Sequence, residues 1–183
     1  MAIPAGHFFV DECYDIGKVE NCHFWPFGVA YNPEDPYCKW VNTQGVAYEF
    51  ARTDWNYVTH TFCFGYGVGY KFSESRTGSC NGRKISMVNC SFWGPNDLCI
   101  LHRSPTAQTT ASACNFVHWD VNNHGSPCIQ ADEGKIIVES STFGAGSLHV
   151  RVGEKVRSAI LMGNQAYCVR WKTCRRKTIE TKQ

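Results

Sequence analysis

Between residues 85 and 94 the chain reads Ile85-Ser86-Met87-Val88-Asn89-Cys90-Ser91-Phe92-Trp93-Gly94. Apolar and polar positions alternate through Ile85 and Met87, which predicts a short strand with one buried face. At Asn89 the phase slips by one residue, so Cys90 and Phe92 point inward again. Such a slip between two short strands is a bend, and asparagine tolerates the left-handed backbone that a bend needs. The same three slots are filled by Asn21, Cys22 and Phe24, by Ala113, Cys114 and Phe116, and by Ser140, Ser141 and Phe143. Two weaker copies are Thr59, His60 and Phe62, and Asn164, Gln165 and Tyr167. The alternation ahead of the bend returns at Ile136 and Val138 and at Ile160 and Met162. The middle slots fall at 22, 60, 90, 114, 141 and 165, steps of 38, 30, 24, 27 and 24. A loosely regular step in this range marks a repeat architecture.

A second strand repeats independently. Gly45-Val46-Ala47-Tyr48-Glu49-Phe50 matches Gly67-Val68-Gly69-Tyr70-Lys71-Phe72 at an offset of 22. Further short strands are predicted at Leu98–Leu101, Cys128–Ala131 and Leu148–Val152, and no segment carries a helical period. The expected fold is therefore all-β: a parallel β-helix, a solenoid of about six or seven coils stacked roughly 4.8 Å apart. Stacking turns equivalent residues into columns. One predicted column is aromatic, with Phe24, Phe62, Phe92, Phe116, Phe143 and Tyr167. Its neighbour reads Cys22, His60, Cys90, Cys114, Ser141 and Gln165. The bend column, Asn21, Thr59, Asn89, Ala113, Ser140 and Asn164, is expected to form a partial side-chain ladder.

At 183 residues the chain is expected to be one domain over 1–183, with 1–16 as an N-terminal lead-in or cap and 172–183 as a fraying basic tail. A net charge of +2 from 18 basic and 16 acidic residues is too balanced to point to nucleic acid. No run of about 18 apolar residues exists to span a membrane, and Met1–Gly6 does not read as a signal peptide. The eleven cysteines lack the CxxC spacing of a zinc module, so no metal and no cofactor are expected. Cys22, Cys90 and Cys114 read as buried thiols in a small-residue column, and pairing of Cys168 with Cys174 stays open.

Residues 26–44 and 73–84 read as loops, the first because of its prolines, the second because it is polar and ends near Asn81-Gly82. Candidate chemistry falls in two clusters. In the first, Arg52, Asp54 and Trp55 follow a strand. They form either an Arg–Asp pair closing a turn with Trp55 in the core, or a sugar platform of ring plus bidentate polar groups. In the second, His102 and Arg103 follow one strand, and His118, Trp119 and Asp120 come after Phe116. These are either plain turn residues or the lining of one groove.

With these residues in view, the chain resembles bacterial right-handed parallel β-helix proteins of the pectate lyase-like superfamily, in particular uncharacterised planctomycete-type members. The resemblance covers about residues 7–170. It is carried by Val19 through Gly28, Phe50 through Trp55, Phe62 through Tyr66 and Val88 through Gly94. It implies a right-handed coil, an extracellular or cell-surface setting, and a polysaccharide partner that is bound or cleaved by lyase or hydrolase chemistry. In that reading Asp54 or Asp120 is the acid or base, with His118 and Arg52 beside them. Arg52 or Arg103 holds a uronate carboxylate, Trp55 or Trp119 stacks on a sugar ring, and His102 joins the substrate-binding set. The chain departs from the pattern of the active relatives. It has no Asp-Asp pair and no Gly-His-Gly, and its adjacent acids are only Asp11-Glu12, Glu34-Asp35 and Asp132-Glu133. Whether it is an enzyme is therefore left open. The alternative is a non-catalytic structural or adhesive β-helix module, with homo-oligomer formation unresolved.

Overall fold

A computed structural model describes residues 8–25, 32, 34–78, 84–94, 98–120, 125–146, 148–167 and 178–181. The strands come in successive sets, here called rungs. The first is β1 (Phe8–Val10), β2 (Cys13–Glu20) and β3 (His23–Phe24). The second is β4 (Val46–Phe50), β5 (Thr53–Thr59) and β6 (Phe62–Phe64), and the third is β7 (Val68–Phe72), β8 (Lys84–Val88) and β9 (Ser91–Gly94). The fourth is β10 (Leu98–His102), β11 (Gln108–Ser112) and β12 (Asn115–His118). In the fifth and sixth the first two strands fuse, giving β13 (Ile129–Glu139) with β14 (Thr142–Gly144), and β15 (Leu148–Met162) with β16 (Gln165–Tyr167). A final strand, β17 (Thr178–Thr181), pairs with β15.

Every described pairing is parallel and joins a strand to its counterpart one rung away. An 11-stranded sheet runs β1-β4-β7-β10-β13-β11-β8-β5-β2, with β15 and β17 beyond β13. It folds back because one half of β13 pairs with β10 and the other half with β11. A second, six-stranded sheet runs β3-β6-β9-β12-β14-β16. The described residues are thus all-β apart from one helix, mostly parallel, and consistent with a β-helix-like solenoid.

The bends are where the hydrophobic phase slip places them. Asn21, Asn89, Ala113 and Ser140 have φ of 55°, 52°, 51° and 49°. In the two weaker copies the left-handed residue is His60 (φ 53°) and Gly163 (φ 65°), so Thr59 and Asn164 are each displaced by one. The aromatic column shifts with them and reads Phe24, Cys63, Phe92, Phe116, Phe143 and Ala166. Phe62 and Tyr167 turn to the outer face. In the sixth rung Ala159 and Leu161 continue the inner columns of Ile136 and Val138, which leaves Ile160 and Met162 exposed. Gly163 decides the last case, because glycine takes positive φ without strain. In the second rung the space is already filled from the opposite sheet. Tyr48 and Tyr70 stack at 5.0 Å there, and the Tyr70 hydroxyl lies 2.9 Å from Thr61 Oγ1.

Side-chain hydrogen bonding falls on the inner column, which reads Cys22, Thr61, Cys90, Cys114, Ser141 and Asn164, and not on the bend column. Thiol or hydroxyl donates back to the carbonyl two residues earlier, as Cys114 Sγ to Ser112 O (3.3 Å) and Ser141 Oγ to Glu139 O (2.9 Å). Asn164 Nδ2 reaches Val138 O at 2.8 Å. The cysteines here are therefore small donors that satisfy bend carbonyls; contact with Cys90 and burial push the Cys114 thiol up. The eight described cysteines are free thiols, and Cys168 and Cys174 lie outside the described residues.

Three loop or tail expectations change. The predicted loop 26–44 contains α1 (Pro36–Gln44). Asp35 caps it, accepting from Tyr37 N (2.8 Å) and Cys38 N (3.0 Å), and Pro36 opens it, a placement that needs no N–H from the proline. Ser73–Gly78 is not a loose loop. Asp11 accepts from Arg76 N (2.9 Å) and Ser75 Oγ, and Glu12 accepts from Ser75 and Thr77 hydroxyls. Part of the tail expected to fray is the paired strand β17.

At Gly69 the ring of Phe92 from the other sheet packs directly on the backbone. A Cβ there would enter the Phe92 ring and sit 2.8 Å from Cys99 O. Since one contact is backbone, Gly69→Ala is expected to lower unfolding free energy by about 1–3 kcal/mol in urea titrations. The same change at exposed Gly78, with nothing within 4 Å, is expected to cost no more than its φ of +85° demands.

Candidate functional site

The eight residues singled out from the sequence divide between two places. Arg52 closes the β4–β5 turn. Only 7% exposed, it donates from Nη1 to Cys13 O at 2.8 Å, pairs with Asp54 at 3.2 Å, and lies 3.8 Å over the Tyr14 ring. Asp54 also accepts from Asp15 N. Trp55 is half-buried on the outside of β5, not in the core, with Tyr57 5.6 Å away and Lys84 Nζ 4.7 Å above its ring.

His102 ends β10 in the same column as Phe50 and Phe72, with Phe72 at 5.5 Å. Burial pushes its pKa down to about 4, leaving a neutral ring in the core. Arg103 turns outward and pairs with Asp132 at 2.7 Å. With Lys71, Ser73, Glu74 and Glu133 they line a shallow cleft of about 490 Å³. Arg103 sits two rungs from Arg52, roughly 10 Å along the stack by strand spacing.

The remaining three residues lie at the far end of β12, in the other sheet. His118 is buried, and Asp120 adopts φ 50° and accepts from Gly125 N at 3.0 Å. Trp119 is 37% exposed and meets Trp93 edge-on at 6.5 Å. The adjacent acidic pairs are also spoken for. Asp11-Glu12 holds the 73–78 segment, Asp35 caps α1 while Glu34 pairs with Lys39, and Asp132 and Glu133 pair with Arg103 and Lys155.

Trp119 belongs to a feature that reasoning from the sequence missed. The inner faces of β3, β6, β9 and β12 carry the buried column, and their outer faces carry a second set of rings. His23 lies 4.6 Å from Phe62 and 6.0 Å from Trp25; Trp25 lies 5.5 Å from Phe64; Phe62 lies 6.3 Å from Trp93. Phe64 and Trp93 are direct partners in the ladder, and Trp93 is 43% exposed. The row crosses four rungs. Beyond it Asn115, Thr142 and Gln165 continue one outer column, and Tyr167 lies across Gly144 in the next. The available signal was parity: His23-Phe24-Trp25 and Phe92-Trp93 place aromatics on both faces of one short strand, Phe62-Cys63-Phe64 places two on the same face, and the core uses only one face.

No family model, no curated protein and no solved structure matches the chain.

Proposed function

We propose that the chain is a right-handed parallel β-helix of the pectate lyase-like kind, and that it binds an extracellular polysaccharide without cleaving it. Rung-to-rung parallel pairing supports the solenoid, and a right-handed path is the one parallel crossovers take. The observation that carries the binding reading is the outer row His23, Trp25, Phe62, Phe64, Trp93 and Trp119 on one sheet, in which His23, Trp93 and Trp119 are exposed and Trp25, Phe62 and Phe64 are half-buried. Adjoining rings that reach the surface are a common mark of an interaction site. Neighbouring rings lie 4.6–6.5 Å apart from rung to rung, a run that suits an extended chain of sugar rings lying along the stack.

Binding is favoured over cleavage by the state of the polar candidates. A general acid or base must reach the substrate in a titratable form. His102 and His118 are buried, Arg52 and Arg103 are held by carboxylates, and Asp54 and Asp120 each accept a backbone N–H.

Trp93→Ala is expected to weaken glycan binding at least about tenfold in calorimetry, about 1.4 kcal/mol. Trp40→Ala, at an exposed tryptophan of α1, is expected to leave it unchanged. Reducing-sugar release is expected to stay at background. Affinity indifferent to Trp93, or release of reducing ends, contradicts the proposal.

A further inference from the structure

We infer that the outer face of the six-stranded sheet is built for an uncharged glycan and not for a uronate. This rests on the polysaccharide reading above and narrows it. Not one residue of β3, β6, β9, β12, β14 or β16 is Asp, Glu, Lys or Arg, in a chain that is 19% charged. The 11-stranded sheet, by contrast, carries Glu49, Lys71, Lys84, Lys135 and Arg151 on its strands.

An uronate laid on this face would bring its carboxylate against ring faces whose quadrupole repels negative charge, with no strand-borne cation beneath it. Desolvating a charge without a partner is costly. A neutral sugar meets the opposite situation, since its C–H face packs on Trp25, Phe64 and Trp93. Its hydroxyls then find a neutral hydrogen-bonding half of the same face. Asn115 Oδ1 accepts from Thr142 Oγ1 at 2.7 Å and from the Tyr167 hydroxyl at 3.3 Å. That fixes the amide so that its NH₂ is the half left for a ligand. Gly144 makes room for this arrangement: a Cβ there would lie 2.8 Å from the Tyr167 ring. The face therefore has a stacking half on the early rungs and an amide and hydroxyl half on the later ones.

The test is affinity electrophoresis and calorimetry of the full chain against a panel of neutral glucans, xylans and mannans, and against polygalacturonate and alginate, at low and high salt. The expected result is binding to a neutral glycan, insensitive to salt because no ion pair forms, and lost at least tenfold in Trp93→Ala. Gln165→Lys, on the exposed polar half, is expected to add binding to the acidic glycans that the parent lacks. Binding to acidic glycans alone overturns this inference and leaves the polysaccharide reading standing. Binding to no glycan overturns both. A dimer in light scattering that Trp93→Ala splits, with no glycan bound, assigns the face to a second copy and likewise overturns both.

Discussion

Phe92→Ala lowers the free energy of unfolding by about 3–5 kcal/mol, while Phe62→Ala costs no more than about 1 kcal/mol. The two residues are alike in type and sit in neighbouring rungs, so the contrast isolates which face each occupies. Phe92 is fully buried between Cys63 and Phe116 in the ladder, and its ring fills the space above Gly69. Truncation leaves a hole that rigid parallel strands on both sides cannot collapse into. Phe62 pairs with His23 and Ser91 on the outer face, where removing the ring returns surface to water. Urea unfolding of both variants reads the difference. Equal costs would place the two rings on the same face and break the register on which the outer row depends.

Stability is expected to fall between about pH 6.5 and pH 4 because of His102. Its folded pKa is depressed to about 4 by burial, so in this window the unfolded chain binds a proton that the folded one refuses. The contribution is complete above the unfolded value and is lost as pH falls towards the folded one, amounting to about 3 kcal/mol across the window. Asp132 is the nearby carboxylate that opposes the shift, together with the Glu133 backbone. His102→Leu keeps the volume and removes the proton site, so its unfolding free energy is expected to vary less with pH than the parent's over this range. Parallel pH profiles of parent and variant would contradict a neutral core histidine. The carboxylates of Asp11 and Glu12 add acid sensitivity of the same sign, since hydrogen bonds hold both below their usual range, but they are present in both proteins and cancel in the comparison.

Much of the architecture was legible from one local rule. The slip at Asn89 marks the bend because two outward residues come in succession where the chain turns a corner, as Val88 and Asn89 do between buried Met87 and Cys90, and four of the six bends follow it directly. Where it misled, size was weighed above backbone. Phe62 looked like the inward aromatic, but Tyr48 and Tyr70 reach across from the other sheet and only Cys63 fits beneath them. Asn164 looked like the bend, but the neighbouring Gly163 takes the left-handed conformation at lower cost. The 36–44 helix was announced by Asp35-Pro36, a cap and an opening residue, and was hidden by the usual reading of proline as a loop signal.

The site was less legible for a related reason. Polar residues such as Arg52, Asp54 and Asp120 look like chemistry in a list, yet corners of stacked strands need side chains to satisfy turn backbone, and that is where these residues are spent. The rings at positions 23, 25, 64 and 93 stand outside the one aromatic column that the sequence predicts. Only the pairing of strands shows that the inner face was already full, which sends the second set outward.

The most direct measurement is a titration of the ¹⁵N-labelled protein with a neutral oligosaccharide, following the indole N–H resonances assigned by single Trp→Phe variants. The account predicts that Trp93 and Trp119 shift with a common affinity while Trp40 and Trp55 stay in place. Shifts confined to Trp55, or none in the row, would contradict it.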